Sequence, residues 1–455
     1  MDKTTQRLVE FALEAKFSTL STQTLHECNR RLIDAFASAL AAYDEPLCIG
    51  ARAIASRYSG CPEAHLWGSP IKTSMEAAAF ANGVMLRYLD ISDTYLGKSR
   101  GHPSDMLSGV LAAAEHLQSD GPSVITAIVL AYDVYCSFAD SVDINSLGWD
   151  QPVYAILGSV VGVAKLMGLN HDQIGHAISL ALTPNLALLQ TRHGDLSAWK
   201  GCAGPNAARN AIFACLLAQQ GFTGPADVFE GKFGFYNVIT AFDWKLPSGG
   251  HHKICDTHIK SLPVCYHGQS SVLCAMKLRT QLRLEDIQDI HVESYGAAFR
   301  MMGNDPTRWA PTTRETADHS MPYVIALALA DGKFNAHSFS DERLKDLTLK
   351  GIMSKVRVSE DSNLSAQYPE GAPGRVTIRT HQGKLFTEEL RYPTGHAKSP
   401  MSDADVEQKF RDLVPNQAQP ERIETLLKIL TQFEQVKNTK TEFMDLLVLH
   451  SDSDH

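Results

Sequence analysis

Between Tyr88 and Asp105 the chain reads YLDISDTYLGKSRGHPSD, placing Asp90, Asp93, Thr94, Lys98, Arg100 and His102 between two Ala-rich apolar runs. A core tolerates so many ionisable groups only when each is paired or neutralised. A surface loop, for its part, needs no apolar walls of this length. A polar loop interrupting a helical core suits acid–base chemistry, and Gly101-His102-Pro103-Ser104 supplies a fixed turn. The plain alternative is a charged connection between surface helices.

Four further segments gather cations and acid–base groups. Arg192-His193-Gly194-Asp195 leads into Trp199-Lys200-Gly201. His251-His252-Lys253 is followed by His258, Lys260 and, within LPVCYHGQSS, His267. Arg314-Glu315-Thr316-Ala317-Asp318-His319-Ser320 precedes Tyr323, and Tyr392-Pro393-Thr394-Gly395-His396 forms the last. Each segment has a structural alternative: Arg192 and Lys200 as solvated charges, Asp318 and His319 as helix caps, the His-His-Lys run as surface. All lie at element boundaries, and several abut Gly or Pro.

Metal and cofactor signals are missing from the sequence. It has no H-x-x-x-H or H-E-x-x-H spacing. Its nine cysteines (Cys28, Cys48, Cys61, Cys136, Cys202, Cys215, Cys255, Cys265 and Cys274) form no C-x-x-C pair. Neither a disulfide framework nor a zinc or iron–sulfur cradle is expected. Without G-x-G-x-x-G or a Walker loop, a nucleotide cofactor is not expected either. The expected chemistry uses no metal and no cofactor.

The elements that must position these groups are mostly helical. From about residue 5 to 245 helical patterns succeed one another, as in Thr24–Tyr43, where Leu25, Cys28, Leu32, Ile33, Phe36 and Leu40 form one stripe. Several runs carry small residues nearly all round, which suits helices at the centre of a large bundle. Asn170 and Asp341 stand where N-caps are expected. After about residue 262, IQDIHVES, KVRVS, RVTIRT and KLFTEELRY have strand periodicity, the last two joined across His381-Gln382-Gly383. Helical patterns return after His396, and the terminal SDSDH reads as a frayed tail. The expected fold is mainly α: a large all-α helical domain over 1–262 plus 397–455, with an inserted smaller α+β domain over 263–396. These two parts would be joined by two connections, near residues 262 and 396.

The chain has 455 residues, net charge −9, 44% hydrophobic and 20% charged residues, an ordinary globular composition. No basic stripe dominates a segment, so a nucleic-acid partner is not expected. The N-terminus lacks the unbroken apolar stretch of a signal peptide. No run approaches the length of a transmembrane helix, Val124–Tyr132 coming nearest. The expectation is a cytoplasmic protein without a membrane partner.

LDISDT…GHPSD, WKGCAGPNAARNAIFA, TRETADHSMPYVIALAL and LRYPTGHAKSPMS resemble the MmgE/PrpD superfamily, in order, from about residue 5 to 440. The resemblance implies a homodimer with an active site between a helical domain and an α+β lid. It also implies an enzyme acting on a di- or tricarboxylate, by dehydration, decarboxylation or epimerisation. Family active-site positions carry over to Asp90, Thr94, His102, Lys200, Lys260, His267 and Tyr323. One position departs: where the decarboxylase branch keeps a histidine in a Gly-aromatic-His-Pro stretch, this chain has Gly148-Trp149-Asp150-Gln151-Pro152. That departure and the Y-P-T-G-H block favour a dehydratase, of the kind that acts on 2-methylcitrate.

Dehydration of a β-hydroxy acid needs a base for the carbon-bound proton and an acid for the leaving hydroxyl. His102 is the expected proton carrier, because imidazole titrates near neutral pH, with Asp90 orienting it. Asp90, Thr94, His102, Lys200, His267 and Tyr323 form the expected catalytic set, Tyr323 exchanging a proton with the leaving group. Arg192, Lys260, Asp150 and His319 form the expected substrate-binding set, the cations cradling carboxylates. A catalytically silent carboxylate-binding scaffold is the rival of a different class.

Overall fold

The computed structural model describes residues 1–414 and 419–449; the SDSDH tail lies outside them. The protein is mainly helical, with small sheets. It divides into two compact units: residues 1–189, 201–257 and from Ser402 onward, and residues 190–200 with 258–401. The chain therefore passes between the units four times, not twice. The extra passages arise because Gln190–Lys200 is tied into the second unit. There, Leu196 N–H donates to Thr316 Oγ1 and Arg308 donates to the Gly194 carbonyl.

In the first unit, local sequence sets the helix starts. Ser21, Ser74 and Asp120 each accept a backbone N–H in the first turn of Thr22–Ala41, Met75–Tyr88 and Gly121–Ser141. Asn170 forms a full capping box with Gln173 at the start of His171–Leu182. The helices Gly121–Ser141 and Pro152–Leu166 are almost wholly buried and pack together closely. A Cβ at Gly158 would stand 2.7 Å from the Ala131 carbonyl, and one at Gly162 3.0 Å from that of Ala127. Glycine is what lets these backbones approach.

Among the described residues Gly121–Ser141 is also the one helix long and apolar enough to cross a membrane. The sequence reading found no such run, because Asp133 ends the apolar stretch at Tyr132. Their polar groups are paired inside the unit, and 89% of the apolar window is buried there, as in a core helix. The helix Asp403–Leu413 returns to the first unit. It brings Lys409 Nζ to Asp34 Oδ1 at 2.5 Å and to the Ile91 carbonyl at 2.9 Å, all buried.

The second unit is built on a four-stranded sheet in the order Val356–Glu360, Ile287–Ser294, Gly374–Thr380, Leu385–Leu390. The first pair is parallel and the others antiparallel. Gly383, at φ +79°, turns the hairpin between the last two. Ile287, Ile290 and Val292 alternate into a core shared with Val272, Ala275 and Leu278 of the helix Gln269–Arg279, and with the helix Met321–Ala330. Ser320 caps Met321–Ala330. Ser340 caps Asp341–Lys345, so the cap stands one residue before the expected Asp341, which instead opens the first turn as an acid at the helix N-terminus.

Candidate active site

The first unit collects Asp90, Thr94, His102 and Asp150. Helix Met75–Tyr88 ends at Leu89, and Asp90 follows with φ +51°. That left-handed position is usually glycine after a helix; aspartate is among the few other residues that tolerate it. The Asp90 carboxylate accepts from Arg87 NH2 at 3.1 Å. Arg87, itself buried, also donates to Ser92 Oγ at 3.1 Å and pairs through Nε with Asp105 Oδ1 at 2.9 Å. Gln151 Nε2 donates to Asp105 Oδ2 at 2.5 Å, and Tyr135 OH donates to Gln151 Oε1 at 2.6 Å. The buried charges are thus paired one against another, as burial requires.

His102 is held by a different group. Its Nδ1 lies 2.8 Å from the Asp93 carbonyl, which can only accept. Nδ1 therefore carries the proton, and in the neutral ring Nε2 bears the lone pair, the state a general base needs. Asp93 is itself fixed, accepting from Ser104 N–H at 2.9 Å and Tyr132 OH at 2.8 Å. Burial pushes its carboxyl above the usual range, against the pull of the Ser104 hydrogen bonds and Arg31. Thr94 Oγ1 donates to the Gly101 carbonyl at 3.0 Å, pinning the hairpin that presents His102. Gly101 admits no side chain, since a Cβ there would run into Tyr135 OH and Gln151. Asp150 is buried and accepts the Gln151 N–H at 2.8 Å. Lys98 is exposed, with Nζ 3.2 Å from the Ser141 carbonyl.

The His-His-Lys run is only partly surface. His252 Nδ1 and the Lys253 N–H both reach the buried Asp133 carboxylate at 2.7 Å, and Lys253 Nζ meets Asp140 at 2.9 Å. The buried acids on Gly121–Ser141 draw these two residues inward, which leaves His251 exposed.

The second unit collects Arg192, Lys200, Lys260, His267, His319 and Tyr323. Lys200 is a buried cation, its Nζ 3.0 and 3.1 Å from the Asp318 carboxylate oxygens. Asp318 also bonds His319 Nδ1, so its side chain bridges a lysine and a histidine while its backbone closes the short helix Arg314–Ala317 as C-cap. Burial works against a charge on His319, and Lys200 opposes it too, but Cys265 and Asp318 prevail and raise its pKa above the usual value. The Asp318 carbonyl accepts the Cys265 N–H at 2.9 Å, tying this trio to the stretch that carries His267. His267 Nδ1 lies 2.5 Å from Tyr295 OH, and the Tyr295 ring stacks on Tyr368. Lys260 is wholly buried and Arg192 half-buried. Tyr323 OH donates to the Ser338 carbonyl at 2.7 Å, and burial raises its pKa. Its ring lines a cavity of about 530 Å³ together with Trp309, Pro311, Leu344 and Met353.

Sequence reasoning missed Arg87 and Gln151 and placed Asp318 in an acid–base segment without giving it a partner or a role in the site. Arg87 closes an apolar helix and signals nothing alone. Asp318 could have been suspected from its place beside His319, but its partner Lys200 lies 118 residues earlier.

Comparison with known proteins adds a second line of observation. Residues 6–246 match the MmgE/PrpD N-terminal domain and residues 262–435 the MmgE/PrpD C-terminal domain. The chain is 27% identical over 418 residues to the 2-methylcitrate dehydratase of Escherichia coli K12, covering 86% of this chain and 85% of that protein. It is 27% identical to the 2-methylcitrate dehydratase of Cupriavidus necator, covering 90% and 89%. A fungal alkylcitrate dehydratase is 29% identical, covering 75% and 74%. With both domain models matched in order along the chain, the protein belongs to the MmgE/PrpD family.

Proposed function

We propose that the protein is a cofactor-independent hydro-lyase that removes water from 2-methylcitrate or a closely related β-hydroxy tricarboxylate. The observation that carries this reading is His102, its Nδ1 spent on a backbone carbonyl so that Nε2 serves as base. His102 takes the proton from the carbon next to a carboxylate. Lys200, Lys260 and Arg192 hold substrate carboxylates and stabilise the enolate-like charge that follows. The leaving hydroxyl needs a proton. His319, whose protonated form Asp318 and Cys265 favour, is the better donor. Tyr323 spends its hydroxyl on Ser338 and positions the helix beside His319. Asp90 and Thr94 keep the His102 loop in shape, Asp150 fixes the turn at Gln151, and His267 completes the polar lining with Tyr295.

The names of the relatives support dehydration. Asp150, an acid where the decarboxylase branch has a cation, weighs against loss of CO2. The domain division, the lid role of the α+β part, a homodimer and a cytoplasmic setting belong to the same proposal. Closure of a lid would exclude water around the reacting carbon. Crystals grown with and without a tricarboxylate test that part: an unchanged angle between the parts contradicts it.

Incubation with 2-methylcitrate, citrate, cis-aconitate and iminodisuccinate, followed by NMR, tests the reaction itself. Water loss from 2-methylcitrate, giving a vinylic product, is the expected outcome. CO2 release or inversion alone would move the protein to another branch. Binding of these tricarboxylates without turnover would leave the carboxylate-binding scaffold reading.

A further inference from the structure

The Y-P-T-G-H block ends in a histidine that the reaction above does not use. His396 is buried and stacks on His258, with ring centroids 4.1 Å apart and planes at 19°. His258 stacks in turn on Tyr266 at 5.2 Å, and His396 packs on Tyr392 at 4.8 Å, making a ladder of four rings. Both histidines accept backbone donors: Ala397 N–H to His258 Nδ1 and Lys398 N–H to His396 Nδ1, each at 3.0 Å. Between them Ile259 N–H donates to the Gly395 carbonyl, also at 3.0 Å. Gly395, at φ +90°, lies so close to the Ile259 carbonyl that a Cβ would collide with it. Residues 258 and 259 are therefore fastened side chain and backbone to 395–398, and the next residue is the wholly buried Lys260.

This fastening requires both rings to be neutral, since an imidazolium has no acceptor. Burial, reinforced by Lys398 and opposed by Glu370, pushes His396 down to about 4. The other groups facing it, His258 and Tyr392, carry no fixed charge. With Nδ1 accepting, His396 Nε2 holds the proton and faces the Glu370 backbone. A phenylalanine at this position would keep the stack but could not accept the Lys398 N–H.

We propose that His396, stacked on His258, is a positioning residue that sets the backbone from which Lys260 reaches a substrate carboxylate. The proposal rests on the reading of Lys260 as a carboxylate-binding group. Steady-state kinetics on 2-methylcitrate with Lys260→Met, His396→Ala and His396→Asn separate the two. Lys260→Met raises KM if that reading holds; an unchanged KM overturns it and this proposal with it. His396→Ala is expected to raise KM about tenfold with kcat within about twofold, the loss of one well-placed ionic contact. His396→Asn, which keeps an acceptor near the Nδ1 position, is expected to restore most of the affinity. If Lys260→Met raises KM while His396→Ala leaves it unchanged, the positioning role falls and the Lys260 reading stands. A lowered Tm with normal KM in folded His396→Ala has the same meaning. Should that variant not fold, His258→Phe keeps the stack but removes the acceptor for Ala397 N–H. It too must raise KM, and an unchanged value overturns the proposal.

Discussion

Single residues carry the chemistry through what holds them. His102 was visible in the sequence because a glycine, a histidine and a proline in a row announce a rigid turn. One of the groups that hold it was not: the Asp93 backbone carbonyl accepts from Nδ1, and backbone groups leave no trace in a residue pattern. His102→Ala should lower kcat by roughly 10²–10⁴-fold, the usual contribution of a positioned base. Tm and kcat measured on one preparation check this, and near-normal kcat in well-folded protein removes His102 from the mechanism. His319 yields a pH prediction. Its folded pKa is raised above the unfolded value. Its contribution to stability is therefore complete below about pH 6.5 and declines as pH rises through the folded value. His319→Gln should flatten that decline in denaturation curves taken across the neutral to mildly alkaline range. A decline equally steep in the variant assigns it to other groups.

At the scale of elements, period-two alternation and a glycine turn were enough to expect Ile287–Ser294 and the Gly374–Leu390 hairpin, because strand and turn preferences act within a few residues. Caps were legible to within a residue, since Ser340 and Asp341 can both cap and only backbone geometry chooses. Less legible was Gln190–Lys200. It sits in a helical stretch of sequence yet belongs to the second unit, held against Arg308 and the short helix Arg314–Ala317, because the ion pair of Lys200 with Asp318 links positions 118 residues apart. The junction at Asp90 gives the element-scale test. With φ +51° there, Asp90→Asn should retain the backbone, while Asp90→Val should be about 1–2 kcal/mol less stable than Asp90→Asn, the usual left-handed penalty. Urea unfolding of the two variants measures the difference, and equal stabilities mean that the junction is not strained.

For the molecule as a whole, the mainly α class was readable from periodicity alone, and so was a buried helix around Val124–Tyr132, whereas its membrane-length apolar character was not. Its polar residues are neutralised by partners distant in sequence. The cysteine and histidine spacings give no ligand pattern, so prolonged treatment with a strong chelator should leave turnover unchanged. Loss of activity restored by one particular metal would end the metal-independent reading.

The pairing of Lys409 with Asp34 has a consequence for how the chain is made. The helix Thr22–Ala41 leaves the ribosome early, yet the cation that neutralises its buried aspartate follows 375 residues later. At about 5–20 residues per second, roughly 20–75 s of synthesis separate the two. Throughout that interval the nascent helical unit holds an acid at its centre with its lysine still unmade. A ribosome stalled before residue 403 should accordingly display an N-terminal half open to protease, closing only when the last helices emerge.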